Sequence, residues 1–64
     1  MKGYYFDNVA DVNGNHVIHA EDSAFIPPTS DRTYIGDFSS CEEALQRAKA
    51  LYPEDSFVCC PLCP

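Results

Sequence analysis

Residues 39–53, Ser39-Ser40-Cys41-Glu42-Glu43-Ala44-Leu45-Gln46-Arg47-Ala48-Lys49-Ala50-Leu51-Tyr52-Pro53, carry the clearest local signal in the sequence. Ser40 followed by Glu43 fits a capping box, in which the serine accepts from first-turn amides and the glutamate reaches back. Glu42 and Glu43 open the segment while Arg47 and Lys49 lie near its end, as the helix dipole favours. Cys41, Ala44, Leu45, Ala48 and Tyr52 fall at i, i+3, i+4, i+7 and i+11 and make one apolar stripe. Pro53 ends the helix, because the residue before a proline is pushed out of the α region. The stripe needs a sheet to pack on.

The segments on either side supply one. Gly3 to Val12 is rich in aromatic and β-branched residues and reads as a strand. Asn13-Gly14 is the dipeptide that tolerates positive φ at both centres of a type I′ turn. Asn15-His16-Val17-Ile18-His19 is then the returning strand. A two-residue turn sets Val12 opposite Asn15, Asp11 opposite His16, Ala10 opposite Val17 and Val9 opposite Ile18. Ala20 to Arg32 is loop, since Pro27-Pro28 excludes a central strand or a helix interior, with Phe25-Ile26 expected to anchor it under the sheet. Thr33 to Phe38 alternates as a third strand, and Ser56-Phe57-Val58-Cys59 follows the helix as a fourth. The order is β-β-β-α-β. It predicts a single α+β domain over residues 1–64, a small, mostly antiparallel sheet with one helix on one face.

Size and charge narrow the function. A chain of 64 residues buries only about 60% of its unfolded surface, so its core needs support from a metal, a disulfide or a partner. Ten carboxylates face four cations, Lys2, Arg32, Arg47 and Lys49, for a net charge of −6. Binding to nucleic acid depends on cations that displace counterions from phosphate, and four scattered ones make no basic stripe. Nucleic acid and anionic membrane are excluded as partners on this ground, while a metal or another protein fits. The opening residues Met1 to Asp7 lack an apolar signal-peptide core, which gives a cytoplasmic location as the expectation.

Four cysteines carry the candidate chemistry. Cys60 and Cys63 in Cys60-Pro61-Leu62-Cys63 have the spacing of half a tetrahedral zinc site. The other ligand candidates are His19, at the junction of strand and loop, Cys41, at the helix start, and Cys59 and His16. Adjacent cysteines on a strand point to opposite faces, so Cys59 and Cys60 do not both ligate without a kink. His16 is expected to face Asp11 across the hairpin as a surface histidine. Cys41 reads equally as a small buried core residue. Bound zinc, inert buried thiols and a disulfide are the three readings of the set. A thioredoxin-like use of Cys60 and Cys63 needs a helix N-terminus at the first cysteine to lower its pKa, and the sequence places no helix after it. No Gly-rich phosphate loop occurs, and Ser39 and Ser40 are explained by the helix cap.

The order of motifs resembles that of a group of small uncharacterised bacterial proteins. Their pattern is an aromatic opening strand, His-x-x-x-Cys, an apolar-Pro loop, Leu-Gly-x-Phe-x-x-Cys before a helix, Tyr-Pro and a Cys-rich end. Tyr4-Tyr5-Phe6, His19 to Ser23, Ile26-Pro27, Ile35-Gly36-Asp37-Phe38, Cys41, Tyr52-Pro53 and Cys59-Cys60-Pro61-Leu62-Cys63 hold these places. More distantly, a His or Cys pair, a helix and a final Cys-x-x-Cys are similar to the Ada-type zinc domain. The resemblance implies the same fold and a metal site; Cys60, Cys63, His19 and Cys41 are the expected ligands, and the site is otherwise incomplete, completed from Cys59, or lost. Ser23 stands where the pattern has a cysteine, and the acidic charge speaks against the phosphotriester repair of the Ada-type domain. The sequence thus points to a non-catalytic module with a structural zinc and a protein-interaction surface, against a thiol redox protein or a metal-free interaction domain.

Overall fold

The structure is a computed structural model that describes residues 1–24 and 26–60. Strand β1 (Lys2–Asp7) and strand β2 (Asn15–Ala20) form the middle of a four-stranded sheet. Strand β3 (Arg32–Phe38) pairs with β1 on one edge and strand β4 (Ser56–Cys59) with β2 on the other, in the order β3-β1-β2-β4. The β1–β2 and β1–β3 pairs are antiparallel and β2–β4 is parallel. Helix α1 (Cys41–Leu51) packs across one face. This is the α+β architecture expected from the order of the elements.

The helix forms where its signals place it. The Ser40 hydroxyl accepts from the Glu43 amide at 3.4 Å. Glu43 reaches back to Ser39, accepting from its backbone amide at 3.1 Å and from its hydroxyl. The Ser39 hydroxyl, and after it the backbone amides, hold the Glu43 carboxyl below its ordinary pKa. A lowered pKa means that this contribution to stability is present above the ordinary carboxylate range and is lost as pH falls through the folded value. Ala44 and Ala48 are fully buried, with Cys41 and Leu45 partly buried beside them. Two alanines one turn apart let the helix axis approach the sheet, where Tyr4, Phe6, Ile18, Ala20, Ile35 and Phe57 complete the core.

The first hairpin departs from the expected register. Phe6 lies opposite Ile18, Tyr5 opposite His19 and Tyr4 opposite Ala20, so Val9 does not meet Ile18. A loop over residues 8–14 replaces the two-residue turn. Burial decides between the registers. The observed one puts Tyr4 and Phe6 against the helix, and each aromatic ring removes far more apolar surface from water than Val9 or Val12 would. Val9 and Val12 are left 76% and 101% exposed. Asp11 holds the loop in place of a type I′ turn. Its Oδ1 accepts from the amides of Asn13 and Asn15 at 2.9 and 3.0 Å, and its carbonyl from Gly14 at 3.0 Å. Such side-chain bonds compete with ladder pairing. Gly14 has the positive φ, +82°, and Asn13 does not share it. His16 does not face Asp11; its Nδ1 donates to the Asp7 carbonyl at 2.7 Å and its ring packs on Phe6 and Phe57.

A bulge shifts the β1–β3 register between Tyr4 and Tyr5. It leaves Ile35 as the extra residue and turns it into the core. Gly36 follows at φ +151°, where an added Cβ would stand 3.1 Å from the Phe38 ring.

Cys41 and Cys59 are joined by a disulfide, with Cα atoms 6.2 Å apart. The topology brings them together. β3 and β4 run in the same direction and α1 returns between them, so the start of the helix lies beside the end of β4. Closing a loop of 18 residues stabilises the fold by about 3 kcal/mol through the entropy of the unfolded chain. The paired variant Cys41→Ser/Cys59→Ser is expected to lose that amount, and thermal denaturation should show its midpoint lowered by about 15 °C. An unchanged midpoint would mean that the bond does not support the fold.

Candidate functional site

The face of the sheet opposite α1 carries the polar residues. Because Ile18 and Ala20 point into the core, His19 between them points away from the helix. It lies opposite Tyr5 and diagonally across from Asp7, within reach of a side chain in an antiparallel pair. His19 Nε2 stands 3.0 Å from Asp7 Oδ1. His19 is 5% exposed, Ser23 7% and Cys60 8%. The Cys60 amide donates to the Ile18 carbonyl at 2.9 Å, which extends the parallel pairing of Ile18 with Cys59 by one residue. His19 on β2 and Cys60 just past the end of β4 are both buried.

The connection from β2 to β3 folds back beside this face. The Ser23 amide donates to Ala20 and the Ile26 amide to Ser23. The Arg32 guanidinium lies 4.4 Å from the centre of the Tyr5 ring while its Nη1 donates to the Pro27 carbonyl at 3.3 Å. Ile26 is half-buried; its expected companion in the anchor, Phe25, lies outside the described residues.

Of the four expected zinc ligands, His19 and Cys60 come together. Cys41 does not join them. Its sulfur is bonded to Cys59, and a disulfide sulfur is no thiolate ligand, so neither the ligand reading nor the plain core reading describes it. Cys63 lies outside the described residues, and with it half of the Cys-x-x-Cys spacing. Among the described residues no group of three or more His, Cys, Asp and Glu side chains is placed to hold a metal. No helix of the described residues is long and apolar enough to cross a membrane.

Sequence reasoning missed two features. Asp7 as the partner of His19 was hidden by the hairpin register, since only the longer loop brings residue 7 diagonal to residue 19. The Cys41–Cys59 pairing had a visible signal: in a β-α-β crossover, a cysteine opening the helix and one closing the second strand share one end of the sheet. The helix N-terminus of α1 belongs to Cys41.

Comparison of the chain with protein-family models, with characterised proteins and with solved structures finds no match. The likeness in motif order to the small bacterial group and to the Ada-type domain therefore stands on the sequence alone.

Beside the buried pair, Tyr34 is exposed and its phenol donates to Asp37 Oδ1 at 2.7 Å. That bond, with desolvation and the carboxylate's charge adding, pushes the Tyr34 pKa up to about 12. A raised pKa gives a contribution present below the ordinary value of 10.0 and lost as pH rises through about 12. Ultraviolet titration should find one of the four tyrosines ionising late. Asp37→Asn should bring it back toward 10.0, and an unaltered titration curve in that variant would refute the assignment.

Proposed function

We propose that the chain is a small non-catalytic module that holds a protein-interaction surface on a disulfide-stapled α+β frame. The observation that supports this reading is the Cys41–Cys59 bond. It ties the helix to the edge strand and takes two of the four thiols out of chemistry. A persistent bond of this kind fits an oxidising compartment, whereas the opening residues suggest the cytoplasm, where the same two thiols would be open.

A second reading keeps a structural zinc. It is favoured by the buried adjacency of His19 and Cys60, with Cys63 as the third sulfur or nitrogen ligand and Asp7 as the carboxylate that orients the imidazole. Zinc there would supply folding energy and no chemistry. The prediction of this reading is one zinc per chain in protein purified without chelator, lost in Cys63→Ser, by elemental analysis. Metal-free protein that melts at the same temperature with and without added zinc would reject it.

The staple reading is tested against a redox role by equilibrating the protein with mixtures of reduced and oxidised glutathione and weighing the products. A structural bond is expected to stay closed across the glutathione range of a cell. Rapid opening, with mixed disulfides accumulating on Cys41 or Cys59, would overturn the module reading in favour of a thiol enzyme.

A further inference from the structure

The two ends of the sheet differ in chemistry. The disulfide and Cys60 occupy the end where β2 and β4 finish. The other end gathers the loop over residues 8–14, the C-terminus of α1 and the start of β4. Four apolar side chains are exposed there: Val9 at 76%, Val12 at 101%, Leu51 at 49% and Tyr52 at 40%. They are held in place rather than frayed. The loop is fixed by the three bonds to Asp11, and the Tyr52 amide donates to Ala48 at 2.9 Å. The Tyr52 ring is wedged on Phe6 and Phe57, with centroids 5.5 and 6.2 Å away.

Carboxylates lie at the same end of the sheet. Asp11 is in the loop, Asp31 precedes β3, and Glu54 and Asp55 lie between α1 and β4; all four are exposed. Lys49 is the basic residue of the last helical turn, and Arg32 is engaged with Tyr5 and Pro27. Apolar side chains inside an acidic rim select a partner by charge.

We infer that this end docks a short amphipathic segment of another protein, one that sets Lys or Arg beside its apolar side chains. Charge complementarity decides between the occupants. A second copy of this chain meeting it through a two-fold axis would set carboxylate against carboxylate, and an anionic lipid surface would be repelled in the same way. A basic segment gains in two ways: by apolar burial on Val9, Val12, Leu51 and Tyr52, and by attraction to the rim. The inference rests on the interaction-module reading and names the partner class of its surface.

The test uses the full chain, isotope-labelled, titrated with a synthetic amphipathic helix of lysine and leucine and, separately, with its glutamate and leucine counterpart. The lysine peptide is expected to shift amide resonances over 9–14 and 51–55 and to bind more weakly as salt rises, while the glutamate peptide leaves them unmoved. Val9→Ser/Val12→Ser, at positions too exposed to affect folding, should weaken binding about tenfold, the worth of about two buried methyl groups. Glu54→Lys/Asp55→Lys should weaken it and flatten the salt dependence. Equal binding of both peptides, shifts centred on the cysteine end, or concentration-dependent shifts of 9–14 without peptide would each overturn the proposal. The glutathione equilibrium is independent of this result, so a silent titration with a persistent disulfide rejects this surface and leaves the module intact.

Discussion

The pairing of Phe6 with Ile18 is the constraint on which the rest of the molecule depends. It puts two aromatic rings of β1 under the helix and makes Ile18 the fully buried centre of the core. Strand alternation then fixes everything else. Asp7 and His19 must lie on the face without the helix, His16 must lie near Phe57, and Val9 and Val12 must lie beyond the end of the strands. Moving the register by one residue would exchange the faces and expose Tyr4 and Phe6. In a core that contains three alanines and few large aliphatic residues, that loss exceeds any gain from a tighter turn.

The same constraint explains what the sequence made legible. The helix from Cys41 to Leu51 was readable because cap, stripe and proline all act within a few residues of one another. The third and fourth strands were readable from alternation and from the turn residues before them. The register was not. Asn13-Gly14 is a strong local signal for a two-residue turn, yet local turn preference is worth about 1 kcal/mol, and burying an aromatic ring is worth about 2 to 3. Ring burial wins, and it depends on residues that are far away in sequence, while Asp11 stabilises the loop that results. Of the site, the spacing of the cysteines was visible but their partners were not. Cys41 and Cys59 meet because of the direction in which α1 returns, a property of topology rather than of spacing.

The disulfide and the buried His19–Asp7 pair stabilise different parts of this small fold. The bond acts on the unfolded chain, by removing the freedom of the segment that contains the whole of α1. It ties β4, the shortest strand and an edge strand, to an element with its own capped start. The His19–Asp7 contact acts in the folded state, across the two central strands, where His19 Nε2 and Asp7 Oδ1 stand 3.0 Å apart. Neither substitutes for the other, because one constrains the periphery of the sheet and the other its middle.

This division leaves the opposite end without internal support for its apolar residues. Tyr52 is partly covered by Phe6 and Phe57, but Val9 and Val12 are reached by no core element, although the loop that carries them is well bonded. In a chain with a thin core, four exposed apolar residues at one end are surface that folding does not bury. The loop could have ended at the Asn13-Gly14 turn only by unburying Phe6, so the exposure of both valines is a consequence of the core itself. The register that completes the core therefore also leaves this apolar surface exposed.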